Sequence, residues 1–423
     1  MPVKIVTQKE RKIVLENFIS LTTLQGISFL LPLFILPYLV RVIGIEKFGL
    51  IAFAQSLVQY FMILTDYGFS LSATRSIALI GEHKRKVSAL FSSVMTVKLI
   101  FAAISLLVLV VILYFVGRFR NDWLIYILSF GSVIGNTLFP IWFFQGKEKM
   151  SYITIVNVAS GITYAICIFI FIHQPQDYLR VPLIGSILSI ASGIFGLYIA
   201  FKKFKLEFIL QKYTDIKNEL KTGWNIFISI LAVNVYTNSR IFAVGLLTNN
   251  LFTGYYSLAE RIANIVQTFP LDSFTKAVYP RISKVFVKNK QRAVAIMYRI
   301  QDAITLGFVI SLPIAYYLAP WIIRFTCGYR YPEVIFTLRL LLVAIFFVGA
   351  NAFKVQFLLV CGKPDLYAKI HILAAIVGLP IIFLLILEFS FSGAAIATVF
   401  IEGGVFILTS LIIDKLTRRI LER

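Results

Sequence analysis

The sequence predicts an all-α polytopic membrane protein with twelve transmembrane helices in two pseudo-twofold-related six-helix lobes. Its 423 residues are 59% hydrophobic and 14% charged, with a mean hydropathy of +0.86. A water-soluble fold of this composition would lack the polar surface needed to cover its core. Two further observations support the prediction: an internal repeat of about half the chain, and a one-sided distribution of lysine and arginine.

The number of spans follows from a length criterion. A bilayer core about 30 Å thick needs about 20 mostly apolar helical residues. Applied between charge clusters and Pro/Gly positions, this criterion predicts spans at 17–40, 48–68, 90–116, 123–145, 152–172, 181–201, 223–247, 252–275, 299–322, 333–360, 366–387 and 391–413. The segment 69–89 is too polar to span, and we expect it to continue the second helix along the membrane interface.

The repeat relates residues 41–75 to a stretch about 205 residues later. This offset pairs Gly49 with Gly254, Ala54 with Ala259, Gln55 with Glu260 and Gln59 with Asn264, and one inserted residue then pairs Asp66 with Asp272 and Arg75 with Arg281. Copies separated by half a chain indicate two related lobes. The predicted lobes are 1–201 with helices 1 to 6 and 223–423 with helices 7 to 12, joined by a cytoplasmic linker at 202–222.

Orientation follows from the basic residues. Twenty-nine of the 41 lysines and arginines fall in segments that lie inside if both termini are cytoplasmic, and seven fall in the outside loops. Cytoplasmic loops of membrane proteins carry this excess of basic residues. We therefore expect both termini in the cytoplasm, with the N-terminal stretch as a retained tail.

Polar residues follow one face of the predicted eighth span, and a matching stripe follows the second span. A charge at mid-bilayer costs about 2.5–3.5 kcal/mol on insertion scales, so such residues usually face a bundle interior or a wet cavity. The stripes consist of Tyr256, Glu260, Asn264 and Gln267 in the eighth span and Gln55, Gln59 and Asp66 in the second. They predict a shared wet cleft, with interhelical hydrogen bonding as the alternative.

Two arginines lie inside the predicted spans of the second half. Arg261 follows Glu260 directly, so the two side chains are about 100° apart around a helix and do not face each other. Asn234, Thr237 and Arg240 form a stripe with three-residue spacing in the seventh span. For both arginines, a place in a cavity is the interpretation we favour.

Three more charged residues occur singly within apolar segments: Lys98, Lys354 and Glu402. A lone lysine in a span can snorkel, which means that its ammonium group reaches the nearest headgroups while its stem stays in the apolar layer. We favour this for Lys354, which lies near a predicted cytoplasmic end. Lys98 and Glu402 remain candidates for a cavity.

Each repeat copy contains an aspartate followed nine residues later by an arginine: Asp66 with Arg75, and Asp272 with Arg281. Nine helical residues advance about 13.5 Å and turn the side chain by half a revolution. The two members of a pair therefore do not meet within one helix. They are predicted to mark the cytoplasmic ends of the second and eighth spans.

Several kinds of site are not expected. The three cysteines and three histidines have no metal-ligand spacing, so neither a disulfide framework nor a metal site is predicted. The Gly-Lys turns at 146–147 and 362–363 lack the preceding glycine and following Ser/Thr of a phosphate loop. We expect no cofactor and no nucleic-acid partner.

Two stretches resemble a known family. LPYLVRVIGIEKFGLIAFAQSLVQYFMILTDYGFSLSATRSIA and PIWFFQGKEKMSYI closely resemble the polysaccharide transporter family, especially the Wzx-type flippases of O-antigen and capsule repeat units. That family belongs to the multidrug/oligosaccharidyl-lipid/polysaccharide superfamily. The resemblance implies a non-enzymatic transporter of the bacterial inner membrane, with a central cationic cavity. It would move an undecaprenyl-diphosphate-linked oligosaccharide to the periplasmic leaflet by alternating access.

This resemblance gives the candidate residues their expected roles. Arg261 and Arg240 are the leading diphosphate contacts, Lys98 is a third, and Glu260 and Glu402 are candidates for ion coupling. The expected partners besides the substrate are membrane lipids and the polymerase and chain-length regulator of the same pathway. The remaining expected cavity residues are Gln55, Gln59, Asn264, Asn234 and Tyr256.

Two other functions fit the same composition. A cation-coupled drug or solute exporter of the same superfamily would favour an acidic or aromatic cavity. The charged residues expected in the cavity of this chain are more often basic than acidic. A membrane-embedded glycosyltransferase or polymerase would carry a sizeable outward loop with acids or arginines, and no such loop is predicted.

Overall fold

The computed structural model describes the backbone of residues 8–422 and most of their side chains. Side chains are described except at 8–25, 27–29, 213, 225, 233, 236, 269–270, 272–281, 284 and 364. The predicted roles of Asp272 and Arg281 therefore lie outside the described residues. Within residues 8–422 all regular structure is helical and no strand occurs, which confirms the all-α class.

Thirteen α-helices and one 3-10 turn make up the described backbone. They are α1 (Gln8–Asp66), α2 (Phe69–Ile80), α3 (Lys84–Phe115), α4 (Gly117–Arg120), α5 (Trp123–Leu138), α6 (Ile141–Gly146), α7 (Met150–Phe171), the 3-10 turn (Pro175–Leu179), α8 (Arg180–Phe204), α9 (Tyr213–Leu247), α10 (Asn250–Lys288), α11 (Lys290–Cys327), α12 (Pro332–Val360) and α13 (Pro364–Leu421).

The two longest helices are each broken once. Gly44 in α1 has φ 79° and ψ 159°, and Ser390 in α13 has φ 55° and ψ −141°. Helix α1 thus consists of arms 8–43 and 45–66, and α13 of a first arm 364–389 and a second arm 391–421. Each break interrupts an apolar stretch about twice as long as one bilayer crossing needs. Both breaks therefore fall between two predicted spans.

Eight helical segments of the described chain are long and apolar enough to cross a membrane, and a bent pair in α9 makes up to nine. Two of the eight, Leu30–Ile80 and Asp365–Leu421, span 51 and 57 residues, which is ample for two crossings each. A multi-pass membrane protein is therefore confirmed. The count of twelve stays a prediction, and α10 is not among the eight segments.

The chain divides into two compact units, and the first comprises residues up to Gly44 together with Ala54–Leu231. Its core contains the aromatic run of α6, where Trp142 and its two following phenylalanines are fully buried. Small residues let α5 and α8 approach closely: an added Cβ on Gly193 would lie 2.7 Å from the carbonyl oxygen of Gly135. Such glycine contacts are typical of helix pairs in membranes.

The second unit comprises Ile45–Phe53 and Ala232–Arg423. In its core the buried Gln301 of α11 bridges two backbone groups of α12. Its Nε2 donates to Gly349 O at 2.9 Å, and the backbone N–H of Phe353 donates to its Oε1 at 3.0 Å. Residues 349 and 353 are one helical turn apart, so this amide fixes α11 against that turn. The predicted lobe boundaries stay a prediction.

Candidate functional site

A polar cavity of ≈ 350 Å³ lies within the second unit, between α9, α10, α12 and α13. Its α12 wall is apolar, whereas the other helices contribute most of the polar groups. The lining residues are Thr237, Asn238, Arg240, Glu260, Ala263, Asn264, Gln267, Leu341, Ala344, Ile345, Val348, His371, Thr398, Glu402 and Val405.

The guanidinium group of Arg240 is held by partners on three helices. Its Nε lies 3.5 Å from Oε1 of Glu260 on α10. Both Nε and Nη2 donate to Thr237 O, one turn earlier on α9, at 3.3 and 3.2 Å, and Nη1 donates to Thr398 Oγ1 on α13 at 3.3 Å. These contacts fix the plane of the side chain at the wall of the cavity.

Glu260 receives a second partner on the same oxygen. The hydroxyl of Tyr256 donates to Oε1 of Glu260 at 3.2 Å, and Tyr256 is fully buried. Tyr256 is not among the residues that line the cavity. In this structure it orients the carboxylate that meets Arg240, and its predicted contact with substrate stays a prediction.

The second arm of α13 contributes Thr398 and Glu402, one turn apart, and the first arm contributes His371. The ring of His371 packs against the ring of Tyr367, with centroids 4.3 Å apart and an angle of 31° between the planes. Thr398 and His371 were not singled out from the sequence. The spacing of Thr398 with Glu402 is the one signal that points to the threonine.

The ionisable side chains that line this cavity are Arg240, His371, Glu260 and Glu402. One guanidinium group thus stands against two carboxylates, and the histidine adds positive charge only when protonated. The described cavity mixes both signs of charge. The net cationic character of the central cavity that the family resemblance implies stays a prediction.

Other predicted residues of the second half lie in or beside the cavity. Asn264 lines it and is exposed, while Asn234 accepts a hydrogen bond from Nδ2 of the lining residue Asn238 at 3.1 Å. Arg261 does not line it. Its guanidinium carbon lies 5.2 Å from the ring centroid of Phe48, a cation–π contact within the second unit.

The candidates of the first half belong to the first unit. Lys98 is 1% exposed and its ammonium group donates to Asn136 O at 3.2 Å, so the structure places it inside helix packing. The remaining candidates of this unit are half-buried or exposed: Gln55, Gln59, Asp66 and Arg75.

Lys354 has a defined place. Its ammonium group donates to Ser410 Oγ at 2.9 Å and lies 5.0 Å from the ring centroid of Phe406. Both partners belong to the second arm of α13. In this structure the side chain packs along the neighbouring helix.

Comparison with known proteins adds a family to this geometry. The model of the family described as "Polysaccharide biosynthesis protein" matches residues 14–286. A protein of Escherichia coli (strain K12) named "Putative O-antigen transporter" is 30% identical over 383 residues, which cover 90% of this chain and 92% of that protein. A protein of the same name from Shigella dysenteriae is 28% identical over 393 residues, covering 92% of this chain and 96% of the relative.

Two solved structures with a similar fold are a lipid flippase and a multidrug transporter. The lipid II flippase MurJ in an inward closed conformation matches with a TM-score of 0.72 at 14% identity, covering 94% of this chain and 89% of that one. An inward-facing multidrug resistance MATE family transporter of the MOP superfamily matches with a TM-score of 0.71 at 13% identity, covering 92% and 96%. At these identities the likeness establishes the fold alone.

Proposed function

The chain belongs to the polysaccharide biosynthesis protein family, and from this premise we propose that it flips undecaprenyl-diphosphate-linked oligosaccharide repeat units across the bacterial inner membrane. The repeat units would serve the synthesis of O-antigen or another surface polysaccharide. The curated relatives are named as transporters, so the protein is a membrane transporter and not an enzyme. The flip would proceed by alternating access, with both termini in the cytoplasm.

One observation carries the proposal: Arg240 is fixed at the wall of a polar cavity formed by four helices of the second unit. Membrane helices retain a charge at such depth where pairing or function offsets its insertion cost. A guanidinium group can hold two phosphate oxygens at once through its planar fork. We assign Arg240 as the group that binds the diphosphate.

Glu260 would compete with the substrate for this guanidinium group. In the structure its carboxylate holds Arg240 at 3.5 Å. A diphosphate that arrives in the cavity must displace this carboxylate, and a proton on Glu260 makes the displacement easier because it removes the opposing charge. This exchange links substrate binding to proton binding at Glu260, with Glu402 as the second acid in the same cavity.

The other predicted roles extend this assignment. Arg261 and Lys98 remain proposed diphosphate contacts for other states of the transport cycle, since the structure holds them on Phe48 and Asn136. The polymerase and the chain-length regulator of the pathway are the proposed protein partners.

A vesicle assay tests the function. The full chain is reconstituted with fluorescent undecaprenyl diphosphate N-acetylglucosamine, and the fraction that a membrane-impermeant quencher reaches is followed over time. Wild-type protein should accelerate the flip, and Arg240→Ala should abolish most of it. Arg339→Ala is the matched control, because Arg339 also lies in the second unit but packs on Tyr316 and does not line the cavity. Wild-type vesicles no faster than protein-free ones would overturn the proposal.

A second function is favoured by one observation, the two carboxylates of the cavity. Acids of this kind suit a cation-coupled exporter of lipophilic cations. The same vesicles loaded with ethidium test it: export driven by an imposed pH gradient, together with no flip of the lipid-linked sugar, would replace the first proposal by the second.

A further inference from the structure

An apolar groove of ≈ 320 Å³ runs along α13, between its first and second arms. Every residue that lines it is apolar or glycine, and the first arm contributes residues from Ile370 to Ile381. At 1.5 Å per residue this stretch of helix is about 16 Å long, close to the depth of one leaflet of a bilayer core about 30 Å thick. The groove is open, because Leu373, Val377 and Phe400 are 47%, 50% and 65% exposed.

The groove and the polar cavity share a wall. Val405 on the second arm lines both spaces. On the same arm Glu402 lines the cavity while its neighbour Ile401 lines the groove. On the first arm His371 lines the cavity while its neighbour Ile370 lines the groove. A polar space and an apolar one therefore adjoin at Val405.

We propose that this groove binds the hydrocarbon chain of the lipid-linked substrate while its diphosphate head occupies the polar cavity. The inference rests on the proposed function, since it requires a substrate with a polar head on a long chain. It adds a second binding site, specific for a polyisoprenoid chain, on the two arms of α13.

The side-by-side position of the two spaces favours this occupant over an ordinary membrane lipid. A phospholipid keeps its headgroup at the bilayer surface, so its tail enters a groove without any need for a polar cavity beside it. A substrate in transit carries its head to the depth of the cavity and must keep its chain in an apolar place next to that head. The shared wall at Val405 provides this arrangement.

Gly404 offers a way to fill the groove. It lines the groove, it is exposed, and a Cβ added there meets no atom within 4 Å. A leucine at this position should enter the groove without disturbing its neighbours. Gly307 of α11 is the matched control, since it is also an exposed helical glycine of the second unit with nothing within 4 Å, and it lies outside both spaces.

The test is photo-crosslinking of the full chain in nanodiscs. One probe is undecaprenyl diphosphate N-acetylglucosamine with a diazirine on its isoprenoid chain, and the other is phosphatidylglycerol with a diazirine on an acyl chain. We expect the isoprenoid probe to label the groove segments 370–381 and 400–408 in the wild type and in Gly307→Leu. In Gly404→Leu this labelling should fall about tenfold, the factor expected when about two chain carbons are displaced from an apolar site.

Two outcomes overturn the groove proposal: equal labelling in Gly404→Leu and the wild type, or phosphatidylglycerol labelling as strong as that by the isoprenoid probe. If Gly404→Leu does not reach the membrane, Val377→Phe narrows the groove from the other arm, and the same loss is expected. The vesicle assay separates the two proposals. Wild-type flipping with unchanged labelling in the filled groove refutes only the chain site. Specific labelling without flipping refutes only the transport function.

Discussion

Two glycines related by the sequence repeat, Gly49 and Gly254, lie backbone to backbone in the second unit. A Cβ added to Gly49 would lie closer than 3.0 Å to Asn250 O, and one added to Gly254 would lie closer than 3.0 Å to Ile45 O. Ile45 and Asn250 are themselves separated by the repeat offset of 205 residues. The two contacts are therefore reciprocal, as a local twofold relation between the repeat copies requires.

Alanine at either glycine should destabilise the protein. The atoms in the way belong to backbone, so the two helices must move apart, and overpacking with so little room to relax falls at the upper end of the usual range, about 3 kcal/mol. Alanine also gains up to about 1 kcal/mol in helix propensity over glycine, which leaves a net loss of about 2 kcal/mol. For a unit of about 200 residues this corresponds to a fall of about 4–8 °C in apparent Tm.

Thermal unfolding of purified protein in detergent measures the effect. Gly307→Ala is the control, because a Cβ there meets no atom within 4 Å, and it should be neutral or slightly stabilising. The double variant of Gly49 and Gly254 should lose less than the sum of the single losses, since the first alanine already separates the backbones. A Gly49→Ala protein with an apparent Tm within about 1 °C of the wild type would refute the reasoning, because the predicted shift is at least about 4 °C.

Three further predictions concern topology, coupling and the core. Reporter fusions after Asp177 and after Lys212 should give outward and inward signals respectively, as the excess of basic residues inside requires; the reverse pattern at either site refutes the orientation. Glu260→Gln should remove the response of transport to an imposed pH gradient and leave substrate binding intact or stronger, because the competing carboxylate is gone; a variant that responds as fully as the parent excludes Glu260 as the proton carrier. Gln301→Leu should cost about 1–3 kcal/mol, because two backbone groups of α12 lose a buried partner; an unchanged unfolding temperature would show that helix hydrogen bonds alone satisfy them.

Hydropathy and the positions of charge clusters, proline and glycine predict most of the helices, because both depend on the local sequence. The breaks at Gly44 and Ser390 fall where the length of an apolar stretch exceeds one crossing. The same criterion underestimates helix length: the predicted span 299–322 lies within α11, Lys290–Cys327. The length criterion detects where the apolar residues end, whereas the backbone hydrogen bonds of the helix continue into polar sequence.

The candidate site is predicted in part by helical spacing. The stripe on α10 places Glu260, Asn264 and Gln267 in the cavity wall, because residues three or four apart share a helix face. For the partner that approaches from α13, Thr398, the spacing with Glu402 shows a shared helix face but not which residue of another helix it meets. A threonine in a helix commonly bonds to its own backbone, as Thr398 does with Ala394 O at 2.7 Å, so its sequence context gives no sign of a second partner.

Helical spacing also explains why Arg261 does not line the cavity, once Glu260 is known to line it. Neighbouring helix residues point about 100° apart, so a cavity that takes Glu260 cannot also take Arg261 from the same straight face. The ring of Phe48 that receives its guanidinium group comes from a segment about 213 residues earlier in the chain. Contacts at such separation depend on tertiary packing, which spacing within one helix does not contain.

The repeat also explains why the carboxylate that meets Arg240 has no charged counterpart in the first copy. Positions that shape the backbone are the same in both copies, as Gly49 and Gly254 show, because an added side chain at either one would meet backbone of the other copy. Positions on the polar stripes are free of this restriction, and there the copies differ: Gln55 corresponds to Glu260. An uncharged amide at the first position avoids the insertion cost of a second carboxylate, while Glu260 meets Arg240 from α9. Close backbone packing thus explains why both copies have glycine at positions 49 and 254. The ion pair with Arg240 explains why a carboxylate is tolerated at position 260.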